Sequence, residues 1–327
     1  MNRRTWIHIQ PAVSLLFAFL LLLNSSLTSG TPTASGDSVM PAFKKKEYAY
    51  TMNVGARPML FWISWKNVGG GRISWIEKTD GGKGLELLIG SDPARAPRKI
   101  NRWGYIAEQV SGSSSELVGI MTQSDEQSVE QAQSNIGQSS RIYAFKAIRC
   151  QSSGSEAQSF TIPLQWPEDF TYRDVSMLLS RIPVADSSMR HLKIPAGVDP
   201  GFLFAVKGMI EENVEKYRSS GELLNSVKPR RYIYNASLFA LSMASSKFLN
   251  RMTLSGHEYQ KLLESKFEAR NDATGKTSSF SITYGTESPI SKIPIRILYQ
   301  PRWWFRAELV LDESVDMIDA GRKAGAQ

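Results

Sequence analysis

Residues 293–312 read IPIRILYQPRWWFRAELVLD, with apolar side chains at every second position on both sides of a short Gln-Pro-Arg segment. This period of two predicts an antiparallel hairpin with strands at 292–299 and 303–311. One face of the hairpin carries the side chains expected in the core: Ile293, Ile295, Ile297, Tyr299, Trp303, Phe305, Ala307, Leu309 and Leu311. The opposite face carries Arg296, Trp304, Arg306 and Glu308.

This polar face is a candidate binding patch. In an antiparallel hairpin, Arg296 is expected opposite or diagonal to both Arg306 and Glu308, so that Trp304 borders a cationic surface. Arginines beside an indole can hold an anionic or sugar-like ligand by stacking and forked hydrogen bonds. The alternative is that Glu308 neutralises the arginines and that the N-terminal β domain covers Trp304.

Upstream of the hairpin, apolar residues from Trp166 onward follow the spacing of amphipathic helices. This spacing predicts helices over 175–182 and 200–219, the second opened by Asp199-Pro200 and stopped by Gly221. A third helix is predicted over 235–252. Ser255 and Glu258 form a capping-box pattern, which predicts a fourth helix over 255–267. A strand at 277–284 then completes a three-stranded meander with the hairpin.

Alternating apolar residues predominate between residues 47 and 165, which predicts an antiparallel sheet. The predicted strands are 47–54, 59–66, 72–78, 84–89, 116–122, 141–150 and 158–164, with one helix at 125–136. The sequence therefore predicts an α+β protein. An N-terminal antiparallel β domain, barrel- or sandwich-like, is followed by a helical segment and a C-terminal antiparallel β meander. The expected divisions are a signal peptide at 1–30, a flexible leader at 31–46, domains at 47–165 and 166–313, and a frayed tail at 314–327.

The N-terminus has the three parts of a secretory signal peptide. Arg3 and Arg4 provide a positive start, residues 12–23 form the apolar block AVSLLFAFLLLL, and a small polar stretch follows. A block of this length falls short of the roughly 20 residues that span a bilayer. We therefore expect cleavage, export to the periplasm or the exterior, and no transmembrane span in the mature chain.

The chain is basic, with a formal net charge of +8, but its cations are dispersed. A nucleic-acid-binding stripe would be denser, so we expect no nucleic-acid partner. The partners that fit an exported basic surface are an anionic envelope polymer, a glycan or a lipid surface.

The residues available for chemistry are few. Cys150 is the one cysteine, and His191 and His257 are the histidines outside the predicted signal peptide. These residues provide too few nitrogen and sulfur ligands for a zinc site, and we expect no metal or cofactor. The chain contains no Gly-x-Ser-x-Gly motif, and Gly275-Lys276-Thr277 lacks the glycine that a phosphate-binding loop needs at position 270. No catalytic residue is assigned.

Tryptophans supply the remaining candidates. In LFWISWK (residues 60–66), Trp62 lies on the more polar face of a predicted strand. In PRKINRWGYIAE (residues 97–108), Arg102 and Trp103 follow a basic loop, where the ring could cap the sheet or contact a ligand. Packing in the core or at its rim is the alternative for each ring.

The sequence thus favours an exported, non-enzymatic binding or envelope-associated protein. One alternative is a periplasmic or secreted hydrolase whose carboxylates come from separate strands, which would need two acids about 5–10 Å apart in a cleft. Another is an envelope assembly or scaffolding factor, which would show a large exposed apolar patch.

Overall fold

The computed structural model describes residues 43–57, 61–99, 101–122, 142–167, 171–186, 189–224, 228–303 and 305–313. Its strands are β1 Phe43–Ala56, β2 Ile63–Lys78, β3 Lys83–Ser91, β4 Trp103–Ser111, β5 Ser114–Thr122, β6 Ile142–Ser153, β7 Glu156–Pro167, β8 Arg190–Lys193, β9 Val198–Asp199, β10 Arg230–Tyr234, β11 Ser237–Leu254, β12 His257–Asn271, β13 Thr277–Gly285, β14 Pro294–Arg302 and β15 Phe305–Leu311. The described α-helices are α1 Val175–Leu179 and α2 Phe202–Ser220, and short 3-10 turns cover Pro97–Lys99 and Tyr172–Asp174.

All fifteen strands belong to one sheet, in the order β8-β7-β6-β5-β4-β3-β2-β1-β15-β14-β13-β12-β11-β10-β9. Neighbours in the sheet are therefore neighbours in sequence, except that β1 pairs with β15. Every pairing is antiparallel apart from β9 with β10. The sheet is two meanders joined edge to edge through β1 and β15.

The two ends of this sheet meet. Strands β8 and β9 are its outermost strands, yet only residues 194–197 separate them in sequence. Asn235, in the β10–β11 turn, is buried and has a positive φ of 48°. Its Oδ1 accepts hydrogen bonds from Ser159 Oγ at 3.2 Å, Thr161 Oγ1 at 3.1 Å and Arg190 Nη2 at 2.7 Å. The sheet therefore curls until its ends are joined by side chains.

Helix α2 packs against the concave face of the curled sheet. Its buried side chains are Phe202, Ala205, Val206, Met209, Ile210, Asn213 and Val214. They follow a helical repeat and pack within the main apolar core. Gly221 adopts the left-handed conformation with φ 71° and ends the helix, as the sequence predicted.

The segment 171–183 covers the opposite, convex face of β3 to β6. A Cβ atom at Gly90 would lie 2.6 Å from Tyr172, and Arg149 donates a 2.9 Å hydrogen bond to the carbonyl of Pro183. Strand β3 turns Ile89 toward the concave side, so this part of the sheet is packed on both faces.

The predicted α+β class is wrong, because the structure is mostly β, with 61% strand and 13% helix. The predicted third and fourth helices, at 235–252 and 255–267, are instead the long strands β11 and β12. The Ser255-Gly256 pair, with φ values of 48° and 89°, forms the two-residue hairpin turn between them. Ser255 therefore lies in a hairpin turn and does not cap a helix, and Glu258 lies in the strand that follows.

Other elements agree more closely with the sequence. The helices predicted at 175–182 and 200–219 correspond to α1 and α2, and the final meander corresponds to β13, β14 and β15. The strands predicted at 59–66 and 72–78 overlap one strand, β2, which begins at Ile63. Strand β4 was missed because its first six residues are all buried, so this segment shows no alternation of apolar and polar side chains. The helix predicted at 125–136 lies outside the described residues. The division into two domains stays a prediction.

Within the described ranges, neither α-helix has the length and apolar character needed to cross a membrane.

Candidate functional site

The predicted hairpin patch is partly assembled. Glu308 lies diagonal to Arg296, and Arg296 Nε donates a 2.6 Å hydrogen bond to Glu308 Oε1. Asn53 on β1 adds a 3.5 Å contact to the same carboxylate. Glu264 on β12 approaches Arg296 at 4.0 Å from the other side. Arg296 thus lies between two carboxylates. Its ion pair with Glu308 joins β14 to β15 and leaves little positive charge for a ligand.

Arg306 is separate from this pair, so the prediction that it lies opposite or diagonal to Arg296 is wrong, because Arg296 pairs with Val310. The Arg306 guanidinium lies 4.6 Å from the ring centre of Trp62, across Gly55 on β1. A Cβ at Gly55 would lie 2.9 Å from Arg306 Nε and 3.2 Å from the Trp62 ring, so only glycine leaves room for this stacking. Trp304 lies outside the described residues. The structure therefore brings together Arg296 with Glu308, and Trp62 with Arg306, as two neighbouring clusters.

Arg102 and Trp103 lie elsewhere, at the start of β4, which three strands separate from β15 in the sheet. Trp103 is 0% exposed and pairs with Gly90, the glycine that contacts Tyr172. Directly opposed residues share a face, so its ring packs beneath the segment 171–183. The backbone of Arg102 is fixed by Ser91, whose Oγ accepts from Arg102 N at 2.8 Å. Trp103 is therefore a core residue with no surface for a ligand. The prediction that Trp303 faces the core is also wrong, since it is 65% exposed.

A feature that the sequence did not indicate is an apolar cavity of about 150 Å³ between α2 and the concave face of the sheet. Its size matches an engineered apolar cavity that stays dry and accepts benzene. It is partly open to solvent. The apolar lining residues are Met52, Ile73, Trp75, Leu85, Leu87, Ile89, Phe202, Leu203, Val206, Ile210, Phe280, Ile282, Pro294, Ile297, Tyr299, Ala307 and Leu309.

Two lysines bring charge to this cavity. Lys207 on α2 lies 5.5 Å from the ring centre of Trp75 and 2.5 Å from Glu211 Oε1. Lys292, in the loop before β14, pairs with Glu215 Oε1 at 2.6 Å. Glu86 also lines the cavity, but alternation along β3 turns its carboxylate to the opposite face from Leu85 and Leu87. The charged side chains that face the cavity are therefore the two lysines, and the glutamates that pair with them are exposed to solvent.

The start of α2 is fixed by a carboxylate from another strand. Gly201, at the N-cap, has no side chain to cap the helix, and Glu108 on β4 replaces it. Glu108 Oε1 accepts from Leu203 N at 2.9 Å, and Oε2 accepts from Phe204 N at 3.1 Å. Glu108 is 1% exposed, and burial raises its pKa to about 7 although these amide bonds lower it.

The middle of α2 is fixed by a buried polar cluster. Asn213 Nδ2 donates to Ser246 Oγ at 2.8 Å, Tyr284 OH at 2.8 Å and Ser265 Oγ at 3.3 Å. Its Oδ1 accepts from Leu224 N at 2.8 Å. The described hydrogen bonds of this cluster join amide and hydroxyl groups, and they tie α2 to β11, β12 and β13 over the cavity.

A second depression is polar. It measures about 530 Å³ and lies along the ends of β4 to β7. Serine and glutamine side chains dominate its lining, and among the described lining residues none is aromatic. A sugar-binding groove commonly stacks an aromatic ring on the sugar, so the apolar cavity is the stronger candidate site. The described residues contain no cluster of three or more metal-ligating side chains.

Comparison with known proteins gives little further guidance. No family model and no curated protein matches the chain. A solved structure that it resembles is a beta-barrel-like protein of a domain of unknown function, DUF1849, from Brucella abortus. The two are 7% identical, and the match covers 84% of this chain and 98% of that chain with a TM-score of 0.38. At this level of similarity, neither fold nor function is transferred to the present chain.

Proposed function

We propose that this protein is an exported, non-enzymatic binding protein, and that its apolar cavity holds the hydrocarbon chain of an anionic amphiphile. The observation that carries the proposal is the cavity itself, an open apolar space beneath α2 with Lys207 and Lys292 beside it. Each methylene group moved from water into such a space contributes about 0.8 kcal/mol. The cavity is the size of benzene, so about six carbon atoms of the chain fit inside it and contribute at most about 5 kcal/mol, which corresponds to binding in the submillimolar to millimolar range from the cavity alone.

The lysines supply the preference for an acidic head group. Both already form ion pairs, with Glu211 and Glu215, but the glutamate side chains are 39% and 60% exposed. Exposed ion pairs contribute only about 0–1 kcal/mol, so a carboxylate or phosphate on the ligand can replace either glutamate at little cost.

The competing hydrolase hypothesis has less support at this site. A carboxylate-pair mechanism needs two acids facing each other. Among the described residues that line the cavity, Glu86 is the one acid, and it faces away from the apolar walls. The scaffolding hypothesis requires a large exposed apolar surface, whereas the apolar surface here lies inside a concave space.

The cavity can be tested by filling it. Leu203 lies on α2 and lines the cavity while remaining partly exposed, so Leu203→Trp adds volume at a tolerant position. We expect mature wild-type protein to bind a fluorescent fatty acid, and Leu203→Trp to bind it at least tenfold more weakly. The matched control, Val184→Trp, changes a side chain that is 66% exposed and should bind as the wild type does. Equal affinity of Leu203→Trp and wild type, with unchanged circular dichroism, would refute the proposal.

The head-group preference needs a second comparison. A fatty acid should bind several-fold more tightly than the alcohol of equal chain length. The double variant Lys207→Gln/Lys292→Gln should lose this difference, whereas Lys266→Gln, an exposed lysine on β12, should keep it. If the double variant keeps the full preference for the acid, the lysines are not the head-group site.

Export is proposed from the N-terminal sequence pattern alone. N-terminal sequencing of protein isolated from the producing cell should give a start near residues 26–36. A mature protein that still begins at Met1 would contradict this part of the proposal.

A further inference from the structure

Two aromatic side chains project into solvent at one end of the sheet. Ala56, the last residue of β1, pairs with Ile63 on β2 and with Phe305 on β15. Phe61 and Trp303 each lie two residues beyond these partners, and they are 61% and 65% exposed. The two aromatic residues therefore lie on either side of the end of β1.

The same end carries positive charge without paired acids. Arg306 stacks on Trp62 at 4.6 Å, Arg57 follows β1 directly, and Lys66 is exposed on β2. Among the described residues, no carboxylate lies within ion-pair distance of these three cations. Glu308, the acid nearest to Arg306 along β15, is held by Arg296 at 2.6 Å. This end of the sheet is therefore both aromatic and cationic.

We propose that this end of the sheet docks on the surface of an anionic lipid bilayer. In this arrangement Phe61 and Trp303 enter the head-group layer, where aromatic rings are favoured because part of the ring contacts hydrocarbon and part contacts water. Arg57, Lys66 and Arg306 contact lipid phosphates, which attract cations near the membrane surface. The proposal rests on different residues from the cavity and does not depend on the ligand bound there.

Vesicle co-sedimentation tests the proposal. Mature protein should sediment with vesicles that contain phosphatidylglycerol and remain soluble with phosphatidylcholine alone. Binding should weaken as salt rises, because charges at a surface are screened. Each cation near the surface is worth about a fivefold change in affinity, so Lys66→Gln/Arg306→Gln should lower binding at least tenfold. Phe61→Ser/Trp303→Ser should lower it by a similar factor.

Matched controls separate docking from general charge and from the cavity. Lys276→Gln and Val184→Ser remove one exposed cation and one exposed apolar side chain elsewhere, and they should bind vesicles as the wild type does. Leu203→Trp should also bind vesicles normally, since it alters only the cavity. Two results would overturn the proposal. One is equal binding to both kinds of vesicle, and the other is full binding by Phe61→Ser/Trp303→Ser, which would indicate a partner recognised by charge alone, such as a soluble polyanion.

Discussion

Replacing Glu108 with glutamine should remove a large part of the pH dependence of stability. Burial raises the pKa of Glu108 to about 7, whereas an exposed glutamate in the unfolded chain titrates near 4.5. The charged carboxylate is thus less favourable in the folded protein than in the unfolded chain. Below pH 4.5 Glu108 is protonated in both the folded and the unfolded chain, so its titration does not affect the free energy of unfolding. As the pH rises from 4.5 to 7, the unfolded chain releases this proton first, and the free energy of unfolding falls. Because one pKa unit corresponds to 1.36 kcal/mol, the wild type should lose about 3 kcal/mol across this range.

The measurement is urea unfolding of wild type and Glu108→Gln at several pH values between 4 and 8. Glutamine keeps one acceptor for the amides at the start of α2 but cannot ionise, so the stability difference between the two proteins isolates the titration of Glu108. Relative to the variant, the wild type should be most stable at the acidic end. Glu258→Gln, at an exposed position, should run parallel to wild type. A difference that is flat with pH, or that grows in favour of wild type as pH rises, would refute this reasoning.

Three further changes probe other parts of the structure. Burial raises the pKa of the Cys150 thiol to about 11. A thiol reagent at pH 8 should therefore label the native protein far more slowly than the protein unfolded in urea, and equal labelling rates would contradict the structure. Asn235→Ala removes the oxygen that accepts three hydrogen bonds where the two ends of the sheet meet, and it should lower the free energy of unfolding in urea by about 2–4 kcal/mol. A loss below about 1 kcal/mol would mean that other contacts hold the ends of the sheet together. Gly90→Ala places a methyl group 2.6 Å from Tyr172 and should lower stability by about 1–3 kcal/mol, whereas Gly119→Ala, with its nearest neighbour at 3.4 Å, should change thermal unfolding little.

The C-terminal hairpin was predictable because both of its strands alternate strictly. Ile295, Phe305 and Ala307 are all buried on one face, and Arg296 and Glu308 share the other. The C-terminal end of helix α2 was predictable because Gly221 is a local stop signal. In such segments the local pattern and the tertiary environment agree. The predicted start at Asp199-Pro200 is wrong, since the N-cap is Gly201 and Asp199 accepts hydrogen bonds from Arg230 instead.

Strand β12 was not predictable in this way. Lys261 has a positive φ of 53°, and Leu262 and Leu263 beside it are both buried, which interrupts the alternation. With Tyr259 and Phe267, these leucines reproduce the stripe of an amphipathic helix. Pairing along nearly the whole of β11 and β13 overrides that local pattern.

The cavity could not be predicted because no local motif forms it. Trp75, Lys207 and Lys292 are separated by more than eighty residues in sequence and meet only through the curled sheet and α2. By contrast, Arg296 and Glu308 were predicted to be neighbours, since a short hairpin fixes their distance. Trp62 and Arg306 were each predicted as candidates, but their stacking depends on the pairing of β1 with β15, which local alternation does not specify.

The pairing of β1 with β15 also determines when the sheet can be completed during folding. Tyr50 pairs with Leu311, so one edge of β1 stays open until almost all of the described chain has been synthesised. An unpaired edge can recruit strands of other molecules during this interval. Lys45 and Lys46 lie on β1 just before the residues that pair with β15, and charged side chains beside an open edge oppose such pairing. Aggregation of truncated chains lacking β15 is therefore the particular hazard of this topology.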